Sequence, residues 1–341
     1  MKPCLAVVHG EPAGIGPELI AKLLAEPDVA ESADILLVGD EYVFKLGQEQ
    51  AGTAWSMREV TPDDLGTWWD GDGFAFYPMQ TIAADEVRIA EVTESGGRAS
   101  LRGLDKAVDL TVAGVTDAVL FGPFNKSSLH LAGMDADDEH RYIARYLGFT
   151  GYHSEVNMLD ELITTRVTSH IALKDVVAGI DVEGVVKAIR LADNTLKAAG
   201  LARPRIGLAA LNPHAGDNGN FGTEEIDILA PAIERAKELQ IDVSGPWPSD
   251  TVFLRGRDGQ LDAVVTMYHD QGQIAMKLMG FERGVTIAAG LPIPVATPAH
   301  GTAFDIAGQG VANLGATRKA FEVLCRMAMH HRAHDPIQPA A

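Results

Sequence analysis

Short, almost wholly apolar runs alternate along this chain with longer amphipathic stretches. "LAVVHG", "ADILLVG", "DAVLFGPFNK", "RIGLAALNPHAG" and "AVVTMYHDQG" each combine an apolar core with a Gly-rich or polar end. That is the pattern of a strand buried on both faces and closed by a loop. "PELIAKLLAE", "GRASLRGLDKAVDLTVAG", "VEGVVKAIRLADNTLKAAGL" and "EEIDILAPAIERAKELQ" carry apolar residues at helical spacing. Strands alternating with helices predict parallel strands joined by crossover helices, an α/β architecture. In such folds ligands gather at the carboxyl ends of the strands. His9, Asn125, Lys126, His214, His269 and Asp270 fall at such ends. The last stretch, "HHRAHDPIQPAA", reads as a polar, frayed tail, and its His330, His331 and His334 as part of it.

The chain has 341 residues, 46% of them hydrophobic, enough for a large core and more than one lobe. Its net charge of −19, with no Lys/Arg cluster, argues against a nucleic-acid partner, whose phosphates need such clusters. No apolar run reaches the roughly 18 residues of a membrane span. The only cysteines are Cys4 and Cys325, which supply no disulfide framework. Glu11, Pro12 and Gly14 interrupt the first apolar run before a signal-peptide core could form. The expectation is a cytoplasmic protein.

Four segments invite chemistry. "VVHGEPAGIGPELIAKLL" is strand, Gly-rich turn and helix, but it lacks both the P-loop and the G-x-G-x-x-G spacing. Its glycines serve either tight packing or a ligand. His170, His214 and His269 each follow an apolar run, and three neutral imidazoles with an open position make a catalytic divalent-metal site. Sequence separation alone cannot bring them together. Asp270 beside His269 suits an orienting carboxylate or a ligand. "PAHGTAFDIAGQGVAN" (298–313) suits a loop that wraps a nucleotide, or a Gly-rich turn before a last helix. In "MDADDEHRYIARYLG" (134–148) the acidic residues suit the positive first turn of a helix. Tyr142, Ile143, Tyr146 and Leu147 then recur at helical spacing.

Seven segments, in order and over nearly the whole length, resemble the 4-hydroxythreonine-4-phosphate dehydrogenase family, relatives of isopropylmalate dehydrogenase. They are "GEPAGIGPELI", "FGPFNKSSLHLAG", "TSHIALKDV", "LNPHAGDNGNFGTEE", "GPWPSDTVF", "YHDQGQIAMK" and "HGTAFDIAGQGVAN". The resemblance implies a two-lobed isocitrate/isopropylmalate dehydrogenase-like fold with mainly parallel sheets and a cleft between the lobes. One lobe would comprise residues 1–126 and 300–341, the other 127–299. It implies a homodimer with the active site at the interface. His170, His214 and His269 would hold one divalent metal, zinc before Mg, Mn, Ni or Co, with one subunit contributing to its partner's site. His300, Gly301, Asp305, Gly308 and Asn313 would contact NAD. Asn125, Lys126, Asp250, Asp270 and Lys277 would line the substrate cleft, Lys126 or Lys277 moving a proton. The implied reaction is oxidation of a secondary alcohol of a small polar hydroxy acid, with decarboxylation of the β-keto acid product.

The chain departs from the family where substrate binds. Asp138-Glu139-His140-Arg141 stands where the family has Gly-His-Thr-Glu. Thr286 stands where phosphate-binding members have Asn, and Val295 where they have Arg. A lost guanidinium fork matters to a phosphate. The expected substrate is therefore altered: a sugar acid, its phosphate, or a carboxylated cyclic diol. The alternatives are the vitamin B6 (pyridoxine biosynthesis) enzyme itself and a non-catalytic metal- or nucleotide-binding protein.

Overall fold

The computed structural model describes residues 2–71, 73–160, 162–280 and 283–334. The chain forms two compact units, residues 1–150 with 291–341, and residues 151–290. The divisions therefore fall at 150/151 and 290/291, not at 126/127 and 299/300. Residues 127–150 stay with the first unit because their helices pack on a long helix of that unit. Residues 291–299 do so because they include a strand of its sheet.

The first unit holds β1 (Cys4–Val8), β2 (Asp34–Gly39), β3 (Met57–Glu59), β4 (Phe74–Pro78), β5 (Ala118–Phe121) and β12 (Val295–Pro298). They pair in the order β3-β4-β2-β1-β5-β12, all parallel. Its helices are α1 (Gly16–Ala25), α2 (Val29–Ser32), α3 (Glu41–Ala51), α4 (Glu94–Val112), α5 (Lys126–Leu131), α6 (Glu139–Tyr146) and α11 (Gly315–His334). Every residue of β1 and β5 is buried, as strands covered by helices on both faces require. His330, His331 and His334 belong to the last turns of α11 rather than to a frayed tail, and His330 stacks on His334 with centroids 4.1 Å apart. The final residues, 335–341, lie outside the described residues.

The second unit holds β6 (Ser154–Met158), β7 (Ile163–Arg166), β8 (Ile206–Ala209), β9 (Val243–Trp247), β10 (Ala263–Thr266) and β11 (Val285–Ala289). The order is β11-β6-β7-β10-β8-β9, with β6 antiparallel to both its neighbours and the rest parallel. Its helices are α7 (Val182–Ala198), α8 (Ala230–Glu238), α9 (Val252–Arg257) and α10 (His269–Leu278). α7 starts where Asp181 Oδ1 accepts from Gly184 N at 2.6 Å, satisfying a donor the helix cannot. Its buried face packs with α8 around Val185, Ile189, Leu208 and Ile233. The predicted "EEIDILAPAIERAKELQ" helix is present, but it opens with a π-helical turn, Glu225–Leu229, ahead of α8.

The glycines of "GEPAGIGPEL" answer to packing. A Cβ on Gly16 would lie 2.3 Å from the carbonyl oxygen of His9, and one on Gly10 2.6 Å from the carbonyl carbon of Gly122. The turn is wholly buried, and β1, β5 and α1 approach too closely there for any side chain. His9 is buried too. Its Nδ1 pairs with Gly10 O at 2.7 Å, its ring stands edge-on to Phe44, and burial lowers its pKa.

Glu11, 0% exposed, follows in the same turn. Its Oε1 accepts from Ala13 N at 3.3 Å and abuts Gly96 in the first turn of α4. Burial pushes its pKa up from 4.5 to about 7. The folded protein therefore retains a proton that the unfolded chain has released between those values. This contribution to stability is complete below pH 4.5 and is lost as pH rises through 7. Glu11→Gln removes the dependence. At about 1.36 kcal/mol per pH unit, the variant should gain about 3 kcal/mol on wild type between pH 4 and pH 8. Urea unfolding of both proteins at the two pH values measures it, and a constant difference would refute the assignment.

Candidate functional site

In the second unit the parallel strands β7, β10 and β8 lead, at their carboxyl ends, to His170, His269 and His214 respectively. Loops at parallel-strand ends have backbone groups that no ladder satisfies. Here side chains satisfy them and thereby tie the loops together. Thr168, two residues before His170, donates from Oγ1 to Met267 O at 2.7 Å. Met267 lies two residues before His269, and its N–H donates to Gln271 Oε1 at 2.6 Å. Gln271 Nε2 in turn donates to Ala210 O at 2.8 Å and to Ser249 Oγ at 2.9 Å.

This cross-tying holds the His170 and His269 rings with centroids 5.3 Å apart, tilted by 42°. Both line a cavity of about 230 Å³ with Thr168, Ser169, Tyr268 and Asp270. His269 Nδ1 is 2.7 Å from Asp270 Oδ1. A ring that donates from Nδ1 to a carboxylate keeps the lone pair of Nε2 for a metal or a proton. The pair fits a divalent ion by its chemistry: two imidazoles, one with an orienting carboxylate.

His214 is placed differently. Within one chain the nitrogens of the three histidines do not all come within 4.8 Å of one another. His214 opens a run of left-handed backbone, His214 to Asn218, with φ between 44° and 78° at all five positions. Its ring stands against Phe221, centroids 6.1 Å apart. Left-handed conformation costs roughly 1–2 kcal/mol per non-glycine residue, so such a run persists only where its surroundings impose it. His170 is also left-handed, at φ 53°. Asp250 and Lys277 are exposed, and neither lines the cavity. Lys277 lies eight residues along α10 from His269, about 12 Å at the helical rise.

In the first unit Asn125 caps α5, accepting from Ser128 N at 3.1 Å, and its Nδ2 donates to Thr302 Oγ1 at 3.4 Å. Lys126 Nζ reaches Asp137 O at 3.2 Å. The 298–313 segment is a loop before α11, pinned to α1 by an ion pair. Lys22 Nζ donates to Glu18 Oε1 at 2.7 Å, Gly310 O at 3.0 Å and Ala312 O at 2.8 Å. The buried Glu18 also accepts from Ala312 N at 2.8 Å. Sequence reasoning missed this pair, although Glu-x-x-x-Lys on a helix was visible as an i,i+4 signal. Gly301, Asp305, Gly308 and Asn313 are exposed along the loop. His300 pairs through Nδ1 with Gly301 O at 3.1 Å, and burial lowers its pKa, which favours a neutral imidazole. Asn313 Oδ1 accepts from Gly315 N at the start of α11, leaving its amide nitrogen for a ligand.

The acidic segment is the start of a helix. Asp138 caps α6, accepting from Arg141 N at 2.9 Å, while Asp137 pairs with Arg141 and Asp135 with Arg145. Tyr142 and Tyr146 donate to Asp105 and Asp109 of α4 at 2.9 and 3.0 Å. His140 is 7% exposed, its Nδ1 2.8 Å from Asp138 Oδ1. Glu139, at the first position of α6, is half-buried. Of the other departures, Thr286 bonds Asn157 Oδ1 at 3.3 Å. Val295 is fully buried in β12, paired with Val119, and presents no surface to a ligand.

No described helix is long and apolar enough to cross a membrane. The fold is α/β, a mainly parallel sheet with flanking helices. The chain is 55% identical to a protein of Pseudomonas aeruginosa named putative 4-hydroxythreonine-4-phosphate dehydrogenase 2, over 96% of this chain and 98% of that one. It is 38% identical to the D-threonate 4-phosphate dehydrogenase of Salmonella typhimurium, over 90% and 94%. The crystal structure of the 4-hydroxythreonine-4-phosphate dehydrogenase of Klebsiella pneumoniae matches with a TM-score of 0.81 at 34% identity, covering 96% and 98%. The sequence profile described as pyridoxal phosphate biosynthetic protein PdxA matches residues 31–324. With strand ends that carry imidazoles in one unit and a pinned Gly-rich loop in the other, the chain belongs to the PdxA family of dehydrogenases acting on CH–OH donors.

Proposed function

We propose that the protein is an NAD- and divalent-metal-dependent dehydrogenase of a polar hydroxy acid, acting as a homodimer. The observation that carries this reading is the His170–His269 pair, 5.3 Å apart, with His269 oriented by Asp270. His214 would complete the ligand set across two subunits. That arrangement accounts for three imidazoles that do not converge within one chain. It also accounts for apolar residues left exposed beside them: Leu173 near His170, Phe221 near His214, and Ile274 and Leu278 on α10. Ile274 and Leu278, four residues apart, share one face of that helix.

A divalent ion, zinc before Mg, Mn, Ni or Co, would be held by His170, His269 and His214 and would supply Lewis-acid chemistry to the substrate's hydroxyl, while NAD on the 298–313 loop would supply the hydride acceptor. The chain's residues do the rest. Asp270 holds the His269 tautomer. His300, Gly301, Asp305, Gly308 and Asn313 hold the nucleotide. Asn125, Lys126, Asp250 and Lys277 orient the hydroxy acid, with Lys126 or Lys277 moving a proton. A β-keto acid product would lose CO2 in the same site. The relatives' names support a phosphorylated hydroxy acid as the substrate class. Thr286, Val295 and the Glu139-His140-Arg141 turn support a distal group recognised differently. Sugar-acid 4-phosphates come first, then free sugar acids and carboxylated cyclic diols. The second reading, 4-hydroxythreonine-4-phosphate in pyridoxal phosphate biosynthesis, rests on the name of the 55% identical relative.

NAD reduction across these substrates decides between the two readings, since the best of the sugar-acid panel should exceed 4-phosphohydroxythreonine in kcat/KM at least tenfold. Equal or better turnover of the amino acid would reverse the order. In metal analysis, His170→Ala and His269→Ala should each lose bound metal and activity, and Asp270→Asn should bind metal about 10–100-fold more weakly. Full retention in all three variants would remove the metal assignment. Leu278→Asp should sediment as a monomer and lose metal with it, whereas a dimer that persists with metal bound would exclude α10 from the interface.

A further inference from the structure

Just before the left-handed run that begins at His214, one buried carboxylate binds the backbone. Glu225 is 3% exposed and opens the π-helical turn Glu225–Leu229. π-Turns are rare and recur at functional sites. Glu225 Oε1 accepts from Leu211 N at 2.8 Å and from Asn212 N at 2.7 Å. Its Oε2 accepts from Asn212 Nδ2 at 2.9 Å, and the same amide reaches Glu224 Oε2 at 2.7 Å. The carboxylate also sets the one glycine inside the run. A Cβ on Gly216 would lie 2.7 Å from Glu225 Oε2, at a φ of +78°. The left-handed residues follow directly: Pro213 is the only residue between the bonded Asn212 and His214.

We propose that Glu225 is a positioning residue that imposes the left-handed turn and so presents the His214 imidazole for metal binding. It touches neither metal nor substrate. Its two N–H bonds fix the backbone that leads into the turn, and its second oxygen closes the space that only Gly216 can occupy. The metal half of this statement rests on the reading given above; the conformational half does not.

The test uses the full-length protein, labelled with 15N-histidine and free of metal, with the His214 resonances identified by their absence in His214→Gln. In Glu225→Ala the His214 signals should move to values of an unstructured histidine while those of His170 and His269 hold. Glu225→Gln keeps an acceptor for Leu211 and Asn212 and should restore most of the wild-type position. Asn212→Ala, a milder change that removes both amide bonds, should shift His214 in the same direction, and it decides the matter should Glu225→Ala not fold. Zinc titration of the same samples should show about 10–100-fold weaker binding in Glu225→Ala and a smaller loss in Glu225→Gln. His214 signals unmoved in Glu225→Ala and Asn212→Ala, or all three histidines shifting alike, would overturn the proposal. Wild-type protein that takes up no zinc would overturn the metal reading alone, because the imidazole signals still report on Glu225.

Discussion

Backbone groups at the ends of parallel strands have nowhere to bond within the sheet, and this molecule depends on how it meets that need. Water could satisfy them, but then each loop would move by itself. Instead Thr168 bonds from the β7 loop to the β10 loop, and Gln271 from the β10 loop to those after β8 and β9. Each bond contributes only about 1 kcal/mol net, yet leaving its buried partner unmet costs more. The geometry that follows is a consequence: two imidazoles close together, one already directed by a carboxylate. The same logic operates in the other unit, where Glu18 and Lys22 take up the loose backbone of the 298–313 loop.

Much of this was legible in the residues. The five apolar runs named from the pattern are β1, β2, β5, β8 and β10, since strands buried on both faces leave an unbroken apolar signature. β6 and β7 left none: "SEVNM" and "ITTR" mix polar with apolar residues because Asn157, Thr165 and Arg166 are buried with partners of their own. β3 is three residues long and half-exposed, too short to carry a period. The histidines were identifiable as strand-end residues, but not their pairing. His170 and His269 are 99 residues apart and meet only because β7 and β10 are neighbours. The left-handed conformation of His214 itself had no signal, although Gly216, Asp217 and Asn218 are of the types that tolerate it.

The segment "DADDEHRY" shows how two readings of the same residues coexist. Asp135, Asp137 and Asp138 do what acidic residues do at a helix start, and the arginines that follow complete their pairing. His140, packed against the capping Asp138, is fixed by that same structure. These residues are thus already committed to holding a helix in place. Val295 is committed in the same way: buried, it completes a strand beside Val119.

The division at 150/151 and 290/291 has a consequence for synthesis. The second unit is one uninterrupted stretch, so it can close as soon as its last strand has left the ribosome. The first cannot. β5 waits for β12, and the turn that carries Ile15 waits for Thr302, whose carbonyl accepts the Ile15 N–H at 3.1 Å. β12 ends 177 residues beyond β5, so at about 5–20 residues per second it follows β5 from the ribosome by roughly 9–35 s. Through that interval β1 and β5, apolar on both faces, stand without part of their cover. The stretch made first is therefore the one that finishes folding last, and in a growing chain it is this half that needs protection from its neighbours.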